Sequence, residues 1–167
     1  EYCNAVLEIN KLYPEFLENN VNLIEFYMEK DQISKAQKIL ENALQHHPNR
    51  AYYPYLGKIF ENLDTITRFR AYEKMVGGNK MHVENIYMLA QAAMDACLWG
   101  EARSYIDTLI SISPSKNAYK LMLKFLEMQD SPKNQQEISY YTNRLIEDNI
   151  AQDMADKVCN NNHRIVN

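Results

Sequence analysis

His82 to Pro114 reads HVENIYMLAQAAMDACLWGEARSYIDTLISISP, and this stretch decides the fold. Ile86, Leu89, Ala90, Ala93, Met94 and Cys97 recur at the three-four spacing that lines apolar side chains along one helical face. Ala102, Tyr105, Ile106, Leu109 and Ile110 repeat the pattern after a gap at Leu98, Trp99 and Gly100. Gly100 is free to take the positive φ that ends a helix, so the break is expected there, and Pro114 closes the second segment. The result is a hairpin of two amphipathic helices, which cannot bury both apolar faces by itself.

The same pattern lies upstream. Phe16, Val21, Leu23, Ile24, Tyr27 and Met28 form one apolar stripe, Asp31 and Gln32 a turn, and Ile33, Ala36, Ile39, Leu40, Ala43 and Leu44 a second stripe stopped by His46, His47 and Pro48. Pro14 to Pro48 is 34 positions, while Ala36 to Ala102 and Pro48 to Pro114 are each 66, close to twice that period. A further copy is therefore expected between Asn49 and Met81. Tyr52, Tyr53, Leu56, Ile59 and Phe60, then Ile66, Phe69, Tyr72, Met75 and Val76, supply it, with Gly77 and Gly78 as its end. This copy is degenerate, because Phe69 or Arg70 stands where Ala36 and Ala102 place a small residue. Downstream, Ala118, Leu121, Met122, Phe125 and Leu126 give one helix, and Ile138, Tyr141, Leu145 and Ile146 another after Ser131 and Pro132.

The expected fold is all-α, a right-handed superhelical array of antiparallel helix hairpins over residues 1–150. The hairpins fall at about 15–47, 50–77, 82–113 and 115–148, with 1–13 the second helix of a truncated repeat and 151–167 a capping helix and flexible tail. Stacked hairpins bury a continuous core, and first helices line a concave face of the kind that holds partner proteins.

Composition removes several alternatives. Lys and Arg number 18 against 22 Asp and Glu, a net charge of -4, and no basic stripe interleaves with aromatics, so nucleic acid is not an expected partner. No apolar run approaches the roughly 18 residues of a membrane span, so this segment is not expected to insert. Any anchor would lie upstream of Glu1. Cys3, Cys97 and Cys159 stand far apart without metal-ligand spacing and suit small hydrophobes. Carboxylates abound on helical faces, but neither a nucleophile elbow, a Gly-rich phosphate loop nor an HExxH pattern accompanies them, which makes the chain an expected non-enzyme.

Ala36, Ala43 and Pro48, and again Leu89, Ala90, Ala102 and Pro114, resemble the tetratricopeptide repeat, although its usual first-helix Trp and Gly are not seen. The string Leu98-Trp99-Gly100-Glu101-Ala102-Arg103, with Leu89-Ala90-Gln91-Ala92-Ala93 before it and Ala118-Tyr119-Lys120-Leu121-Met122 after it, is similar to the carboxy-terminal part of the alphaproteobacterial HemY family. Ser34-Lys35-Ala36-Gln37-Lys38-Ile39-Leu40-Glu41-Asn42-Ala43 and His47-Pro48 resemble the preceding repeat of that family, so the similarity covers about Pro14 to Asp130. The resemblance implies an inner-membrane protein whose anchor is absent from this sequence and whose repeat domain organises late steps of haem biosynthesis. It does not imply the flavin-dependent oxidase that shares the name, since Gly-x-Gly-x-x-Gly is absent.

Candidate sites follow from the repeat frames. With first helices starting at Leu17, Arg50 and Val83, the positions pointing away from the core are Glu25 and Glu29, Lys58 and Asn62, and Tyr87, Gln91 and Asp95. This polar mixture suits a specificity-setting groove for another protein, with haem-pathway enzymes as the expected partners. Ala36, Pro48, Leu98, Trp99, Gly100, Ala102 and Pro114 are the structural motif, with Trp99 closing the core at the turn. His46 and His47 offer haem ligands, the alternative reading, against the plainer role of histidines favoured at a helix C-terminus. The cluster Tyr52-Tyr53-Pro54-Tyr55 suits repeat core or groove contacts with peptide or tetrapyrrole. An adaptor unrelated to haem is the second alternative, and self-association through an exposed apolar face at the truncated first hairpin is a further expectation.

Overall fold

A computed structural model describes residue 8, residues 12 and 13, and residues 15–148. Most of the expected 1–13 helix and all of the 151–167 capping helix lie outside the described residues. Every regular element among the described residues is helical, and none is a strand. The chain divides into two compact units, one ending at Tyr105 and the other beginning at Ile106.

The first unit contains α1 (Leu17–Glu29), α2 (Ile33–His46), a 3-10 turn (Arg50–Tyr52), α3 (Tyr53–Ile59), α4 (Thr65–Val76), α5 (Val83–Asp95) and the start of α6 (Trp99–Ile112). α1 packs along α2, α2 along α4, and α4 along α5, whereas α3 leans on α2 and its own 3-10 turn. The core consists of the stripes read from sequence: Leu23, Ile24, Leu40, Leu44, Leu56, Phe69, Ile86 and Leu89 are at most 1% exposed, as are Ala36 and Ala102. Phe16 and Ile66, read as stripe members, are instead half-exposed. Phe16 is the residue before α1 and Ile66 lies in the first turn of α4, where neither faces the packed side.

The residues preceding the first helix of each pair are Phe16, Asn49, His82 and Ser115, spaced 33 apart. Three of them satisfy free helix-end amides. Asn49 Oδ1 accepts from Ala51 N at 2.9 Å, His82 Nδ1 from Glu84 N at 3.3 Å and Ser115 Oγ from Ala118 N at 3.4 Å. The turns within pairs recur as well. Asp31 and Cys97 have φ near +55°, and the following amides reach back five residues, Gln32 N to Tyr27 O at 2.8 Å and Leu98 N to Ala93 O at 2.9 Å. These bonds, with Asp31 N to Met28 O and Cys97 N to Met94 O at 3.0 Å, are Schellman closures of α1 and α5. The expected break at Gly100 is therefore corrected: Cys97 takes the left-handed conformation, and Gly100 is the second residue of α6.

The end of α2 is closed from a distance. Its carbonyls at Leu44 and Gln45 accept from Asn85 Nδ2 and Asn79 Nδ2, each at 2.9 Å, so the first turn of α5 and the 77–82 loop together seal groups that the helix itself cannot pair. Gly77 has φ +53°, and a Cβ there would meet Gln45 Nε2 at 3.0 Å. With ψ -128° this backbone conformation is one that side-chain-bearing residues rarely adopt, so glycine is favoured, and a Cβ would also press on the Gln45 side chain.

The second unit holds the remainder of α6, then α7 (Lys116–Met128), a 3-10 turn (Pro132–Asn134) and α8 over 135–148. Ala118, Leu121, Met122, Phe125 and Leu126 are buried, and Tyr119 packs on Tyr141 with ring centroids 5.9 Å apart. Asp130 also has positive φ, 33 positions after Cys97.

Candidate functional site

The predicted groove residues distribute over three elements of the first unit. Glu25 and Glu29 are exposed on α1, Lys58 is exposed on α3, and Tyr87 and Gln91 are half-buried on α5, with Asp95 exposed at its end. Asn62 is a correction: α3 stops at Ile59, so Asn62 belongs to the following turn. The reason is Arg68, whose guanidinium donates from Nε to Phe60 O at 3.2 Å and from Nη2 to Glu61 O and Leu63 O at 3.1 and 2.9 Å. A single cation thus satisfies three turn carbonyls and makes the early stop stable.

Two tyrosine-centred clusters occupy this face. Tyr55 donates to Glu25 Oε1 at 2.5 Å, and Lys58 Nζ lies 5.7 Å from the Tyr55 ring centroid, linking α1 to α3. The bond to Glu25, then burial, pushes the Tyr55 hydroxyl up to about 12, so it remains a donor at neutral pH. In the second cluster Arg50 grips Glu84 through Nε and Nη2, both at 3.1 Å, and its guanidinium stands 5.6 Å from the Tyr87 ring centroid. Tyr53 donates to the Glu84 carbonyl oxygen, and burial followed by the Glu84 charge raises its hydroxyl far above the usual range. Tyr52 instead belongs to the core, fully buried, where its oxygen accepts from Asn20 Nδ2 at 3.1 Å. The tyrosine cluster read from sequence therefore divides into one core residue, one tether and one surface residue.

Behind this face α4 carries Glu73, bonded to Arg70 at 2.7 Å, Tyr105 at 2.9 Å and Lys80 at 3.4 Å. Burial pushes Glu73 up, but these three partners together hold it below the ordinary carboxylate value. Arg70 also pairs with Glu101 at 3.2 Å, which gives Glu101 a structural task at the start of α6. Beside Asp95, the residues Thr65, Arg68, Phe69, Tyr72 and Ala92 complete a cleft of about 60 Å³. Periodicity places Tyr72 in the apolar stripe, whereas nothing in the pattern singles out Arg68.

His46 is exposed in the last turn of α2 and His47 is its half-buried C-cap, with ring centroids 6.4 Å apart. Being adjacent in the chain, they cannot bracket one porphyrin without its plane crossing their shared backbone, so the pair offers one axial ligand at a time. Trp99 opens α6 and is half-buried. Among the described residues no three His, Cys, Asp or Glu side chains gather as metal ligands do, and no helix is long and apolar enough to cross a membrane.

Among the described residues the fold is all-helical, and tyrosines with charged neighbours cluster on α1, α3 and α5. Compared with models of known protein families and with curated proteins, the chain matches none.

Proposed function

We propose that this chain is a non-enzymatic protein-interaction module, a tetratricopeptide-like solenoid that holds a partner on its first helices. The observation that carries the reading is the 33-residue recurrence of the cap positions Phe16, Asn49, His82 and Ser115, which supports a repeated hairpin rather than an irregular bundle. The face formed by Glu25, Lys58, Tyr87 and Gln91 supports the binding role, because tyrosines offer rigid, amphipathic contact area and the charged groups set register. The HemY resemblance supplies the setting: an inner-membrane protein, anchored by a segment outside this sequence, that scaffolds enzymes of late haem biosynthesis.

The test is capture of partners from a lysate of the protein's own source by the wild type and by Lys58→Glu combined with Gln91→Ala. Capture of a haem-pathway enzyme by the wild type and its loss in the variant is the expected result. Capture of the same protein by both rules out the first-helix face, and capture of unrelated proteins alone removes the haem setting.

A further inference from the structure

In an array of stacked hairpins each hairpin contacts only its neighbours. Asn85 breaks that rule. It lies completely buried in the first turn of α5, and its Nδ2 donates to Leu44 O in the last turn of α2 and to Asn79 O in the 77–82 loop, each at 2.9 Å. Leu44 and Asn85 are 41 positions apart, with the whole of α3–α4 between them in the chain. Asn79 Nδ2 donates in turn to Gln45 O at 2.9 Å, while Gln45 Nε2 donates to Met75 O at 3.2 Å in the last turn of α4. The Asn79 amide closes on Val76 O at 3.0 Å. Three amide side chains thus join the end of α2, the end of α4 and the start of α5 in one network.

The network is obligatory for α2. Four residues beyond Leu44 stands Pro48, which carries no N–H, so the Leu44 carbonyl has no helical donor to fall back on. A buried carbonyl stripped of its donor is costly, and Asn85 is the donor here. Asn85 Oδ1 is itself buried without a hydrogen-bond partner among the described residues, so the contribution of this side chain comes through its two N–H groups. Withdrawal of α5 therefore exposes a defect in α2, and fraying of α2 removes an acceptor from α5.

We propose that Asn79 and Asn85 form a clasp that makes the first hairpin and the first helix of the third open and close as one unit across the irregular hairpin between them. The clasp fixes α1, which carries Glu25, relative to α5, which carries Tyr87 and Gln91. A contact that steadies one of these helices steadies the other. The clasp follows from the hydrogen-bond network and stands whether or not the first-helix face binds a partner.

Native-state hydrogen exchange of the full chain in low urea tests the coupling. The perturbation is Ala93→Gly, in the body of α5 and away from the clasp, and the reporters are the amides of Ile24 in α1, Leu40 in α2 and Leu89 in α5. With the clasp intact, Ala93→Gly accelerates exchange at all three by about fivefold, the cost of glycine within a helix. In an Asn79→Ala background, and separately in an Asn85→Ala background, the same change accelerates Leu89 alone and leaves Ile24 and Leu40 within about twofold. Asn79 is a half-exposed loop residue, so its variant carries the test if Asn85→Ala does not fold. Acceleration confined to Leu89 with the clasp intact overturns the proposal. So does equal acceleration of Ile24 and Leu40 before and after the clasp is cut, because the two hairpins would then be coupled by other means.

Discussion

Two neighbouring hairpins in the first unit show what a repeat gains by losing its regularity. In α1–α2, a 13-residue helix turns at Asp31 through a Schellman closure and packs closely on α2, where Ala36 is completely buried. In α3–α4, the first helix is 7 residues long, the turn runs from Phe60 to Asp64, and Phe69 fills the position 33 beyond Ala36. Phe69 is wholly buried there, and Arg68 and Asp64 take over the closure that backbone geometry provides in the regular hairpin. The irregular hairpin is also the one beside which the Tyr72–Asp95 cleft opens.

The sharpest way to break this comparison is to restore the pattern. Phe69→Ala gives the degenerate repeat its expected small residue, yet it is expected to cost about 3–5 kcal/mol, because the ring is wholly buried and leaves a cavity. Urea denaturation measures it, and a neutral result would mean that Phe69 is not a packing element. Next in size, Arg68→Met keeps the aliphatic stem and removes the donors from three carbonyls, with an expected loss of about 1.5–3 kcal/mol and faster amide exchange across the 60–64 turn. The corresponding change one repeat earlier, Lys35→Met, should stay within about 0.5 kcal/mol, since Lys35 is a surface residue near the Tyr27 ring.

Much of this architecture is legible in the sequence, for a physical reason. Apolar stripes such as Ile33, Ala36, Leu40, Ala43 and Leu44 follow from burial, and burial has a fixed helical period. The turn residues are less legible. Gly100 looks like the breaker because glycine tolerates positive φ cheaply, but the chain places Cys97 there, where the following amide can reach Ala93. The end of α3 is hidden as well, because it depends on Arg68, eight residues beyond its first acceptor Phe60, and hydrogen bonds to turn carbonyls leave no periodic trace. Of the predicted groove positions Glu25 and Lys58 are exposed and Tyr87 and Gln91 half-buried, whereas their tyrosine and arginine neighbours emerge only from contacts.

Smaller effects sharpen the contrast between the turns. Asp31→Gly and Cys97→Gly relieve a left-handed conformation, so each should be neutral to stabilising by up to about 1 kcal/mol, read from the thermal midpoint. Asp64→Ala has the opposite sign, because Asp64 Oδ1 accepts from Ile66 N at 3.1 Å and Thr67 N at 3.0 Å as the N-cap of α4. The Thr67 hydroxyl, at 2.6 Å, and then the Thr67 amide hold the Asp64 carboxyl below its ordinary value. A depressed carboxyl stabilises the fold fully above the ordinary carboxylate range and loses that contribution as the pH falls through its folded value. The stability gap between wild type and Asp64→Ala should therefore be constant above about pH 6 and narrow below about pH 4. A gap that widens in acid would contradict the cap.

The central claim is that the first-helix face binds a partner, and affinity measured on opposite faces tests it most directly. Once a partner is identified, its dissociation constant is determined for the wild type, for Lys58→Glu with Gln91→Ala, and for Lys38→Glu with Lys74→Glu, exposed residues of α2 and α4. The account predicts a loss of about tenfold or more for the first pair and less than about twofold for the second. A loss confined to Lys38 and Lys74 would put the binding surface on the second helices and contradict it.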